Sequence, residues 1–163
     1  MPDQWKSENN ESRADGQKSE ASARILVVDD EPCILRFFAA IFPAPDYSVA
    51  VAANDKTALQ LVATQNFDLA IVDYFLEAVN GAEVARKMHK LQPQLKIVLM
   101  SGYVLNNKAA EMEAAGASAF LTKPFTCETA HHIVERLLHE TEPKPGASMN
   151  ASGTSPAIHE QPS

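Results

Sequence analysis

Two adjacent carboxylates, Asp29 and Asp30, close the short apolar run Ile25-Leu26-Val27-Val28, and a third, Asp73, closes Leu69-Ala70-Ile71-Val72. Ser101 follows Ile97-Val98-Leu99-Met100, and Lys123 follows Ala119-Phe120-Leu121-Thr122. Each of these side chains stands where an apolar run of strand length ends. In an open α/β sheet such ends share one edge, and ligands bind at that edge. Three carboxylates within a few ångströms repel one another, and their desolvation is costly unless a cation is present. An oxygen-rich site with room for water suits Mg²⁺, which keeps waters and accepts a phosphate oxygen. A lysine and a hydroxyl facing the same point could bind the remaining oxygens of a phosphoryl group. Nucleophilic carboxylate, cation, lysine and hydroxyl donor together make a phosphoryl-transfer set. A single strand-ending aspartate would more ordinarily cap a turn; matching chemistry at the ends of four runs outweighs that reading.

Bringing these groups together requires particular elements. Asp68 to Asp73 holds four consecutive apolar residues between carboxylates, the pattern of a central strand buried on both faces of a parallel sheet. Pro32 can open a helix, as proline does at a first helical position. Cys33 to Phe42 is apolar on nearly every side, Arg36 carries its only charge, and Pro43 and Pro45 stop it. A core needs only one stripe of such a helix. Ile34, Phe37, Phe38 and Ile41 are therefore expected inside, with Leu35 or Phe42 left at the surface. Tyr47 to Ala52 alternates as a strand, and Asn54 can cap a helix from Asp55 to about Thr64. Beyond Asp73 a loop leads to a helix from about Gly81 to Leu91, with Ala82, Val84, Ala85 and Met88 facing inward. Pro93 separates it from the strand Lys96 to Met100. Asn106 or Asn107 opens a helix to Ala115, which Gly116 closes. Ala119 to Thr122 is the last strand, and Thr126 can cap a final helix through roughly Leu138. Five β-then-α units with short connections predict a parallel sheet with helices on both faces and right-handed crossovers.

Composition narrows the class. A chain of 163 residues with 45% hydrophobic content is expected to form one domain with its own core. No apolar run approaches the roughly 20 residues that span a bilayer, and the hydrophilic N-terminus lacks a signal core. Cys33 and Cys127 are far apart and lack metal-ligand spacing, so a reducing cytoplasm fits best. A formal net charge of -7 argues against sequence-independent nucleic-acid binding, which needs Lys and Arg to offset phosphates. Residues 1–23 and 140–163 are polar, poor in large apolar side chains and each net -2, which leaves -3 for residues 24–139. Both tails are expected to be disordered. The roughly 25 residues after Leu138 are too few and too polar for a DNA-binding module, so a stand-alone domain is expected.

Taken in order, Val27-Val28-Asp29-Asp30-Glu31-Pro32, Val72-Asp73, Met100-Ser101-Gly102 and Gly116-Ala117-Ser118-Ala119-Phe120-Leu121-Thr122-Lys123-Pro124-Phe125 resemble a two-component response-regulator receiver domain. The resemblance covers residues 24–139. It implies a flavodoxin-like three-layer sandwich with strand order 2-1-3-4-5, an order that the alternation alone does not fix. It makes Asp73 the phosphoacceptor, forming an acyl phosphate from a histidine kinase's phosphohistidine. Asp30 would bind Mg²⁺ directly, Asp29 largely through water, and the backbone carbonyl of Phe75 would add a further ligand. Lys123 would pair with the phosphoryl group and Ser101 would hydrogen-bond to it. Phe120 takes the place of the family's rotating switch aromatic, and the Lys123–Pro124 bond is expected to be cis. Glu77 stands where the family often has proline, and Phe120 replaces the commoner tyrosine. The residues two beyond the phosphoacceptor and two beyond the serine, which flank the path of hydrolytic water in the family, are Phe75 and Tyr103. Two bulky aromatics there predict slow loss of the phosphoryl group.

The implied partners are a histidine kinase or histidine phosphotransfer protein and an unknown downstream protein, with neither nucleic acid nor membrane, on a monomer or weak dimer. Such a domain assists its own phosphorylation and dephosphorylation and is not a turnover enzyme. One rival is a Mg²⁺-dependent phosphohydrolase, which would need a second acid/base aspartate where Phe75 stands. Another is a pseudo-receiver that only binds a partner, against which the complete Asp, Ser and Lys set speaks. His131 and His132 are read as a solvated helix face, since no third ligand is near in sequence. Cys33 is read as a small packing residue and Met88, Met100 and Met112 as core filler.

Overall fold

All five apolar runs are strands of one parallel sheet: β1 (Ala23–Val28), β2 (Tyr47–Ala52), β3 (Leu69–Asp73), β4 (Lys96–Ser101) and β5 (Ala119–Thr122). The computed structural model describes residues 22–102 and 108–140. The spatial order is β2-β1-β3-β4-β5, the order that the family resemblance implied. Five helices alternate with the strands: α1 (Pro32–Ile41), α2 (Asp55–Thr64), α3 (Gly81–Leu91), α4 (Lys108–Ala115) and α5 (Cys127–His139).

β3 is buried at every position, which explains its unbroken apolar run. Alternate strand residues serve opposite faces of the sheet. Leu26, Val28, Val72 and Leu99 pack with Val62 of α2, Met88 of α3 and Ala115 of α4. Ile25, Val27, Ile71 and Met100 pack on the other side with Phe38 of α1 and with Val134 and Leu137 of α5. Asn54, Asn80 and Thr126 cap α2, α3 and α5, their side-chain oxygens accepting from the backbone N–H of Thr57, Ala82 and Thr129. α4 closes on Gly116, whose φ of 67° is the left-handed conformation that glycine tolerates best.

Several expectations change. Phe42 is buried, not exposed. It lies four residues after Phe38 and therefore continues the same inward stripe, its ring stacked 6.3 Å from that of Phe38. Leu35 is partly buried against the same cluster. Cys33 is exposed and does no packing, because the inward stripe of α1 begins only beyond it; its Sγ lies 3.7 Å from Glu31 Oε2. His131 is half-buried beneath the ring of Phe42 (4.6 Å between centroids), whereas His132 is exposed as expected. Met88 and Met100 are core residues and Met112 is only partly buried. Ala23, assigned to the N-terminal tail from sequence, opens β1 with its N–H donating to Asp46 O at 3.0 Å. The remainder of that tail, the C-terminal tail beyond Glu140, and the predicted roles of Tyr103, Asn106 and Asn107 lie outside the described residues.

Candidate functional site

Sheet register assembles the site. Val28 pairs with Val72, so Asp29 and Asp73 leave adjacent strands at the same level. Asp73 in turn pairs with Met100, and Ser101 with Thr122, so Ser101 and Lys123 follow at the next level along the same edge. The Lys123 N–H donates to Ser101 O at 2.8 Å, holding the end of β5 to β4. The Lys123–Pro124 bond is cis, as expected.

Asp29 is fully buried and Asp73 is 6% exposed, whereas Asp30 faces solvent. One carboxylate oxygen from each of Asp29, Asp30 and Asp73 falls within 4.8 Å of the others. Asp29 Oδ1 accepts from the Glu31 N–H at 2.8 Å, which orients the carboxylate. Its Oδ2 lies 3.0 Å from Lys123 Nζ, and Asp73 Oδ1 lies 3.2 Å from the same nitrogen. Glu31 adds a more distant carboxylate, 3.9 Å from that ammonium. Ser101 is completely buried at the end of β4. Phe75 lies in the loop past Asp73, which a bridge between Phe75 and Asn80 folds back on itself. Phe120 is half-buried on β5 against the α2–α4 side of the core.

Burial raises the Asp73 carboxyl above its ordinary pKa; the Lys123 charge opposes this, and the charges of Asp29 and Asp30 add to it. Burial also works against charge on Lys123, but its hydrogen bond to Asp29 and the charges of Asp29 and Asp73 outweigh it and hold the ammonium above its usual pKa. One ammonium thus faces three clustered carboxylates, an excess of negative charge in a partly buried place. That donor set fits Mg²⁺, a hard ion served by oxygen ligands and solvent. Of the side chains singled out from sequence for phosphoryl chemistry, the structure brings Asp29, Asp30, Asp73 and Lys123 together, and the sheet register puts Ser101 at the same edge.

Sequence reasoning missed two participants. Glu31 carries a visible signal, since it directly follows the aspartate pair. Tyr74 carries none: it is 7% exposed, and its hydroxyl donates to Glu111 Oε2 on α4, 37 positions along the chain.

Comparison with known proteins decides the family. Residues 25–135 match the family model of the response regulator receiver domain. The chain belongs to that family. The receiver is 37% identical over 106 residues to the alginate biosynthesis transcriptional regulatory protein AlgB of Pseudomonas aeruginosa, covering 65% of this chain and 24% of that protein. It is 30% identical over 132 residues to the response regulator MprA of Mycolicibacterium vanbaalenii, covering 80% and 57%. The chain therefore spans about a quarter of one relative and just over half of the other. Among solved structures, the CheY-like receiver domain protein of Methanospirillum hungatei superimposes with a TM-score of 0.68 at 31% identity, over 72% of this chain and 94% of that one. The response regulator TrrA of Thermotoga maritima, solved with Mg²⁺-BeF, superimposes with a TM-score of 0.63 at 30% identity, over 71% and 98%. The receiver's fold is thus the flavodoxin-like sandwich of these neighbours, with the acidic cluster at the carboxyl edge of the sheet. No described helix is long and apolar enough to cross a membrane.

Proposed function

We propose that this receiver is a phosphorylation-controlled switch whose phosphoacceptor is Asp73. A histidine kinase or histidine phosphotransfer protein supplies the group, and the modified domain docks a downstream protein or passes the group on. The observation that carries this reading is the Asp73 carboxylate at 3.2 Å from Lys123 Nζ, with two further carboxylates alongside. An Asp73 carboxylate oxygen forms the new O–P bond as the P–N bond of the donor's phosphohistidine breaks, and the imidazole leaves. Lys123, already within reach of Asp73, holds charge on the arriving phosphoryl oxygens. Ser101, at the end of β4, hydrogen-bonds the attached group. Asp29, Asp30, Asp73 and the Phe75 carbonyl would hold Mg²⁺, which when bound offsets carboxylate and phosphoryl charge.

In this reading the chain is substrate and switch and not a turnover enzyme: Phe75, with no acid or base, stands where an aspartyl-phosphate hydrolase would carry its second aspartate. The net charge of -7 supports protein partners over nucleic acid or an anionic membrane. A cytoplasmic place of action, as a monomer or weak dimer, belongs to the same reading. The test is intact-protein mass spectrometry after incubation with Mg²⁺ and a small acyl-phosphate donor. One phosphoryl group should appear on the wild type and none on Asp73→Asn. Equal labelling of both proteins overturns the assignment.

A further inference from the structure

α4 is poorly anchored by apolar contact. Of its described side chains only Ala115 is buried. A cleft of about 190 Å³ opens between α3 and α4, lined by Tyr74, Asn80, Ala82, Arg86, Glu111 and Ala114 among others. A chain of hydrogen bonds crosses it. Asn80, the cap of α3, donates from Nδ2 to the Tyr74 hydroxyl at 3.4 Å, and that hydroxyl donates to Glu111 on α4. Tyr74 is the residue after Asp73. Its backbone is fixed on both sides, the N–H donating to Met100 O at 2.7 Å and the carbonyl accepting from the Gly81 N–H at 2.8 Å. A small displacement of the Asp73 backbone therefore moves a ring whose far end holds α4.

From this geometry we propose that the Tyr74–Glu111 hydrogen bond is a tether that holds α4 in the resting arrangement and opposes occupation of the Asp73 site. The inference rests on the reading of Asp73 as phosphoacceptor. The tether is found together with Lys123 engaged by Asp29 and Asp73 themselves, at 3.0 and 3.2 Å. A phosphoryl group on Asp73 competes for that ammonium, so occupation rearranges the charges directly beside the Tyr74 backbone. Linkage makes the coupling reciprocal: if occupying the site weakens the tether, removing the tether strengthens occupation. Tyr74 is then a positioning residue, acting through α4, without touching the reacting atoms.

The experiment uses the full chain, Mg²⁺ and beryllofluoride, which stands in for the phosphoryl group. Tyr74→Phe keeps the packed ring and removes the hydroxyl; Glu111→Met keeps an α4 side chain of similar length and removes the acceptor. Each single variant should bind beryllofluoride more tightly, on the order of tenfold, and the double variant should gain little more, since both lose the same bond. Without beryllofluoride, amide exchange in residues 108–115 should quicken in both. Unchanged or weaker beryllofluoride binding in folded single variants overturns the tether, and so do gains that simply add. Should Tyr74→Phe not fold, Glu111→Met decides alone, by whether its own beryllofluoride binding tightens. Failure of the wild type to bind beryllofluoride at all would instead strike the phosphoacceptor reading.

Discussion

Replacing Gly81 by alanine should damage both stability and phosphorylation, and the structure says by what route. Gly81 is buried at the start of α3, its N–H bonded to Tyr74 O. A Cβ added there would lie 1.8 Å from the carbonyl oxygen of Asp73, 2.8 Å from its carbonyl carbon and 3.0 Å from Tyr74 Cα. Carbon and oxygen normally approach no closer than about 3.3 Å, so α3 and the end of β3 must separate by about 1.5 Å. No side chain can yield in their place, because all three obstructing atoms are backbone. Ordinary overpacking costs about 1–3 kcal/mol, and a collision against backbone belongs at the upper end of that range or above it. A loss of about 3 kcal/mol corresponds to roughly 10 °C or more in melting temperature for a domain of this size. The displaced atoms include the backbone of the phosphoacceptor, and an error of about 1 Å in a reacting group can cost about 100-fold in rate. Gly102→Ala is the control, since among the described residues its Cβ would meet only Lys123 Cβ, at an ordinary 3.8 Å. The assay is a thermal melt together with the rate of Asp73 labelling by a small phosphodonor. A Gly81→Ala protein that melts and labels like Gly102→Ala would refute the steric argument.

Two further outcomes are expected. Mg²⁺ at about a hundred times its dissociation constant should stabilise the folded chain by about 2.7 kcal/mol; Asp30→Ala should lose much of that gain, and melting curves of the two proteins with Mg²⁺ or chelator check it. Phe75, in the loop past Asp73, is 51% exposed, and Phe75→Asn, offering an amide to position water, should speed phosphoryl loss about tenfold, equivalent to about 1.4 kcal/mol. Following decay of the labelled protein would show otherwise if the two lifetimes coincide.

The fold was legible because most of its determinants are local. β3 reads as a doubly covered strand since every one of its side chains is buried, and no polar residue interrupts it before Asp73. Asn54 and Thr126 announce helix starts through a bond that reaches only three residues. The site was legible because its groups end strands, and strand ends in this topology converge. Register was not, since the pairing of Val28 with Val72 depends on tertiary packing that no local pattern encodes. The misplacement of Phe42 has a related cause: it lies one residue past α1, where periodicity stops being a guide, yet the stripe continues through it. The Tyr74–Glu111 contact had no sequence signal, because a tyrosine in a loop and a glutamate on a helix are each ordinary.

The division of the core by the sheet has a consequence for how this molecule can carry information. Each strand residue contributes to one side only, so the side chains around Phe38 and Phe42 and those around Val62 and Met88 form separate compartments. Repacking one layer should leave the other nearly untouched, with the sheet acting as a partition between them. The carboxyl edge is where that partition is crossed: Lys123, from the strand next to Ser101, reaches over to Asp29 and Asp73 on two other strands. A partner seated against α1 or α5 and a change in α4 therefore share few routes of communication through the interior. The one marked by named contacts runs along the rim, through charges that a single phosphoryl group can rearrange.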